Sequence, residues 1–194
     1  MKLSPDSTFP LIILMACVEL FDFIRARPAN LPQGKKHLST LYQDMRMLLK
    51  LTSQQMNANE LTDFEHSLSS LPSLNYSVKD LHSLEVSSTL AQLYSGLKSF
   101  KFHLDWVQRN SDELGNDYSK TKKIVHLIQA IIQKVLQELG QTAPEIVHPT
   151  LPPLETFWQL YQTNAEIHKK LLIFCDYYTR ALGSLKRKHP DTPS

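Results

Sequence analysis

Residues 119–139 read SKTKKIVHLIQAIIQKVLQEL, and their periodicity decides the fold class. Ile124, Leu127, Ile128, Ile131, Val135 and Leu139 recur at steps of three and four, which places them on one face of a helix. A half-buried strand would need strict alternation instead. Gly140 follows as a stop, because glycine takes the left-handed backbone that ends a helix at little cost. Val125, Ile132 and Leu136 widen the stripe to about half the circumference, more than the ~100° that one packed face needs. They serve either a contact surface or a place where a long loop covers the helix.

Working outward, Pro144, Pro149, Pro152 and Pro153 interrupt any helix downstream. A last helix is expected over about 154–185, with Phe157, Tyr161, His168, Leu171, Leu172, Cys175, Tyr178 and Leu182 turned inward. Upstream, Gly115, Asn116 and Asp117 mark a short break. Before it, Leu90, Leu93, Tyr94, Leu97, Phe100, Leu104 and Val107 predict a helix over about 87–110. A further one is predicted over 36–57 from Leu38, Leu41, Tyr42, Met45, Leu48, Leu49, Thr52 and Met56, with Met47 and Leu51 off its stripe.

The expected fold is therefore all-α, a long-chain four-helix bundle. Its topology follows from the connections. Antiparallel neighbours need turns of about 2–8 residues, yet residues 58–86 and 141–153 form two much longer links. Helices of this size exceed ~33 Å, and each long link can run back along that length. The helices it joins then point the same way, which is the up-up-down-down arrangement.

The chain has 194 residues, 42% of them hydrophobic, enough for one domain with a single core. That domain is placed at 27–194. A formal charge of +2 with dispersed Lys and Arg argues against nucleic acid as a partner. The cluster Lys186-Arg187-Lys188 suits a solvated helix end that complements the dipole, or an acidic partner.

Residues 9–21, FPLIILMACVELF, follow a short head carrying Lys2 and precede Ala26, and so read as a secretory signal peptide over 1–26. The alternative is a buried N-terminal helix. Elsewhere no apolar run approaches the ~20 residues of a membrane span, so no membrane insertion is expected. Removing the leader takes Cys17 with it and leaves Cys175, which is either buried or a route to a linked dimer. Its place on the apolar side of the last helix favours burial and a monomer. Asn75-Tyr76-Ser77 is a candidate glycosylation site.

Catalytic motifs are missing from the sequence: there is no Gly-rich phosphate loop, no Gly-x-Ser-x-Gly, no His-Glu-x-x-His and no Cys-x-x-Cys. The eight histidines are scattered without metal-ligand spacing and are expected at surfaces or helix boundaries. No enzyme activity, cofactor or metal is expected.

The stretch HSLSSLPSL at 66–74 resembles the loop that precedes the second helix in the interleukin-11 family. His103-Leu104-Asp105-Trp106-Val107, the proline-rich link, Trp158 and the Asp-aromatic-x-x-Arg segment at 176–180 match the family in the same order, over about residues 36–188. Fewer prolines at the start, a near-neutral balance and Cys175 depart from mammalian members and imply a fish-like, non-mammalian vertebrate version. The resemblance implies a secreted cytokine that binds a specific alpha receptor and engages glycoprotein-130 through two patches.

By resemblance Arg180, Asp176 and Tyr177 face the alpha receptor, with Leu71, Pro72 and Leu74 beside them. A guanidinium suits that role, since its planar fork holds a carboxylate; the alternative is an exposed i,i+4 pair with Asp176. Trp158 matches the second glycoprotein-130 patch, and its wheel position beside Gln162, Lys169 and Arg180 is that of an exposed hot spot. It could instead cap the core. The first glycoprotein-130 patch falls by family on the outer faces of the first and third helices, where composition suggests Met47, Leu51, Val125, Ile132 and Leu136. Two other readings fit the pattern less well: a disulfide-free four-helix cytokine with different receptors, and an exchangeable lipid-binding helical protein.

Overall fold

The computed structural model describes residues 34–55, 68, 70–72, 81, 83–113, 119–140 and 143–188. The leader at 1–26, Leu74 and Asn75 lie outside the described residues. Four long helices carry the structure: α1 (Gly34–Gln55), α2 (Val86–Glu113), α3 (Ser119–Leu139) and α4 (Phe157–Lys188).

The helix ends have local causes. Gly140 adopts φ 55° and closes α3. At the start of α4, Thr156 Oγ1 accepts the Gln159 N–H at 3.1 Å, while Gln159 Oε1 accepts the Thr156 N–H at 3.2 Å and the Glu155 N–H at 3.0 Å. This reciprocal capping box starts the helix at Phe157, three residues after the expected Leu154. α2 runs past the expected end at Asn110, because Asn110 is buried and serves the bundle. Its Nδ2 donates to Trp106 O at 2.8 Å and its Oδ1 accepts the Leu154 N–H at 2.9 Å.

Each helix sends its apolar stripe to one core: Leu41, Met45 and Leu48 from α1, Leu93, Leu97, Phe100 and Leu104 from α2, Ile124, Ile128 and Ile131 from α3, and Leu171, Phe174, Tyr178 and Leu182 from α4. Burying one such side chain contributes about 1.5–3 kcal/mol. Cys175 is fully buried and free, which settles its environment in favour of the core. Phe157, expected inward, is instead 58% exposed: the first buried residue of α4 is Leu160, so the helix begins before it meets the bundle.

Cross-helix contacts fix the directions. The Tyr42 ring lies against Gly183, and Thr52 against Cys175, so α1 and α4 are antiparallel. Asp44 pairs with Lys134 and His37 with Glu138, which makes α1 and α3 antiparallel. Phe174 packs on Gly96 and Phe100 of α2, while Asn110 near its end holds Leu154 just before α4 begins. α2 and α4 are thus antiparallel too. It follows that α1 is parallel to α2 and α3 to α4, the up-up-down-down order. Packing joins α1 to α4, α4 to α2, α2 to α3 and α3 to α1, so the parallel pairs sit on the diagonals.

Candidate functional site

The first turn of α4 presents Phe157 and Trp158, 58% and 57% exposed. Trp158 stacks on Tyr161 one turn later, with ring centroids 5.8 Å apart and planes 18° from parallel. Trp158 therefore does not cap the core. An aromatic surface of this kind suits a protein partner, because large rigid rings bury much area for little lost entropy. Phe157 belongs to the same exposed turn, although its helical spacing from Tyr161 predicts an inward position.

At the other end of α4, Arg180 makes a forked pair with Asp176: Nε to Oδ1 at 3.2 Å and Nη2 to Oδ2 at 2.8 Å. Arg180 is exposed and Asp176 about half so, and the pair therefore holds the guanidinium in place more than it stabilises the fold. Tyr177 is half-buried, its ring edge-on to Tyr178 at 5.1 Å. Beside Arg180 lies a cleft of about 400 Å³ lined by Tyr42, Leu81, Thr179, Gly183, Ser184 and Arg187. Leu81 is fixed there by Ser184 Oγ, which donates to its carbonyl at 3.2 Å. Tyr42 has the Arg46 guanidinium 5.7 Å and the Lys186 ammonium 5.8 Å from its ring centre. Several cations thus surround one aromatic wall, a setting for an acidic, partly apolar ligand.

Leu71 and Pro72 do not join this surface. Leu71 is 3% exposed and belongs to the core, and its neighbour Leu68 accepts the Lys170 ammonium at its carbonyl, 2.9 Å away. Lys170 is ten residues before Arg180, about 15 Å along the helix. The later part of the same link, at Leu81, occupies the place expected for them. No periodicity marks Leu81 in a loop; its position is set by its contact with α4 through Ser184.

The expected patch on the first and third helices divides. Met47 is 54% exposed and Leu51 half-buried, on the side of α1 near α3. Ile132, however, is 2% exposed and cannot serve as a contact residue, and Val125, half-buried like Leu51, lies on another side of α3 from the one near Met47. Lys134 faces α1, and at about 100° per residue Val125, Ile132 and Leu136 fall roughly 160–180° round α3 from it. They point towards α2, away from Met47. The apolar excess of α3 is thus largely helix packing, while Leu127, partly buried on the α1 side, is the residue that accompanies Met47 and Leu51.

Two histidines are buried: His168, on the inner stripe as its spacing predicts, and His103, against the expectation of a surface position. His103 is 0% and His168 3% exposed. His103 repeats the core spacing after Phe100, a signal its polarity obscured. Burial pushes both below the usual 6.5, opposed by backbone hydrogen bonds to Ser99 and Asn164 respectively, and His103 is lowered further by His148 and Lys170. Among the described residues no group of three His, Cys, Asp or Glu is arranged to hold a metal ion. Among them, too, no helix is long and apolar enough to cross a membrane.

Comparison with protein-family models matches Interleukin 11 over residues 28–189, most of the chain. Comparison with curated proteins gives no match. The matched span takes in all four helices, both long links, Trp158 and Arg180. The chain belongs to the interleukin-11 family, whose members are cytokines and not enzymes.

Proposed function

We propose that this chain is a secreted ligand that binds a specific alpha receptor and assembles glycoprotein-130 into a signalling complex. Arg180, held by Asp176, and the adjoining cleft of Tyr42, Leu81 and Arg187 meet the alpha receptor. Trp158, with Phe157 and Tyr161, meets one copy of glycoprotein-130, and the Met47, Leu51 and Leu127 side meets another. The observation that carries this reading is the separation of two unlike surfaces on one rigid helix. Trp158 and Arg180 are 22 residues apart, about 33 Å, so two receptor domains can bind α4 together. Linking the sites in this way lets each bound receptor raise the effective concentration of the next.

Titration with receptor ectodomains tests it. Arg180→Ala is expected to weaken capture by the alpha receptor, and Trp158→Ala to leave that capture intact while recruitment of glycoprotein-130 and cell signalling fail. Normal signalling by Trp158→Ala refutes the assignment. Export with cleavage near Ala26 is checked by sequencing the N-terminus of protein collected from the medium.

A further inference from the structure

The corner around His103 joins parts of the chain that lie far apart in sequence. Ser70, in the link between α1 and α2, places its Oγ 2.8 Å from His103 Nε2. On the other side of the ring, Nδ1 lies 2.8 Å from Ser99 O. A carbonyl only accepts, so Nδ1 carries the proton, and in the neutral ring Nε2 is a bare acceptor for the Ser70 hydroxyl. Lys170 of α4 grips the same segment, donating to Leu68 O at 2.9 Å. Leu71 completes it: its N–H donates to Leu68 O at 3.1 Å and its side chain is buried.

Charged and titratable neighbours reach this corner from each packed element. From the link between α3 and α4 comes His148, stacked on Phe102 at 4.4 Å with the planes 8° apart. Phe102 and Trp106 of α2 meet the His103 ring edge-on. From α4 comes Lys170, whose companion Glu166 lies 3.4 Å from its ammonium. A second positive charge on His103 would therefore sit without solvent, beside Lys170 and facing His148. The Ser70 hydroxyl would also have to turn round, giving up its role as donor to Nε2.

We propose that this corner is an acid-release latch: neutral His103 holds Leu68, Ser70 and Leu71 against α2 and α4, and mild acidification lets them go while the four-helix core stays folded. The latch goes beyond receptor choice, since it concerns which form of the link is presented. Burial of His103, with Lys170 and His148 nearby, disfavours the charged ring and agrees with the geometry. In the released form His103 titrates as an ordinary histidine. Release is then favoured in proportion to protonation below about pH 6.5.

Hydrogen exchange on the full chain at pH 7.5 and 5.5, corrected for the intrinsic pH dependence, tests this at the amide of Leu71, which is bonded to Leu68 O. Linkage through one histidine predicts that protection there falls, by up to about tenfold between the two values. Core amides of α2 are expected to stay far better protected at both. His103→Gln, which can still accept from Ser70 but cannot charge in this range, is expected to hold the change to about twofold or less. If the link keeps its protection at pH 5.5, if the α2 core opens with it, or if His103→Gln loses as much as the parent, the latch does not exist. Should His103→Gln fail to fold, Ser70→Ala decides: the link is expected to be less protected already at pH 7.5, and unchanged protection overturns the proposal.

Discussion

Gly96 of α2 lies directly under the ring of Phe174 of α4: a Cβ placed on Gly96 would come within 2.2 Å of Phe174 Cε2 and 2.5 Å of Cζ. The missing side chain is what lets the Phe174 ring lie against the α2 backbone here. Phe174 has no room to yield, because its ring is edge-on to Phe100 at 5.1 Å and tilted against Tyr178 at 4.5 Å.

Gly96→Ala sets two effects against each other. Alanine favours the helix by about 1 kcal/mol, while overpacking a filled core costs about 1–3 kcal/mol. With Phe174 hemmed in, we expect the clash to win and the variant to lose on the order of 1 kcal/mol in urea denaturation. A more stable variant would show that the ring can move aside.

Cys175 is expected to be inert in the folded chain. Burial drives its thiol well above the ordinary range, and Thr52 beside it offsets this in part. A thiol reagent at pH 8 should react at least ~10³-fold more slowly than with the unfolded chain, because attack waits on opening of the core. Prompt labelling of native protein, or a disulfide-linked dimer on a non-reducing gel, would contradict the packing.

Stability is expected to fall on acidification, and the sign follows from His168. Its Nδ1 lies 2.8 Å from Asn164 O, and its Nε2 is buried with no hydrogen-bond partner among the described residues. Desolvation depresses its pKa when folded, so the unfolded chain binds the proton more readily. Stability is therefore complete above about pH 6.5 and is lost as pH falls below it, by up to about 1.4 kcal/mol per pH unit for each such histidine. Denaturation midpoints at pH 7.5 and 5.5 check this, and His168→Leu should flatten the dependence.

Trp158→Ala and Arg180→Ala are expected to leave folding stability within about 0.5 kcal/mol of the parent, because both side chains are largely in solvent. Thermal unfolding measures it. A large loss in either would mean that the residue supports the fold, and receptor data on that variant would need a different reading.

Periodicity alone determined the four helices and the identity of most core residues, since a three-to-four step of Leu and Ile has one way to be buried. Link lengths determined the up-up-down-down order, because a chain of given length either spans a bundle or does not. Trp158 and Arg180 were legible as outward residues from the wheel of one helix, and their suggested roles came from the family resemblance. What lies between helices was not legible. Whether the spare apolar face of α3 meets solvent or α2 depends on which neighbour each side receives, and only the tertiary structure turned Ile132 inward. The same holds for Leu71 in the core, Leu81 beside Arg180 and His103 on Ser70: each is a contact across more than 30 residues, with no local period to announce it. Local pattern sets which face of a helix is apolar, whereas only packing decides what stands opposite.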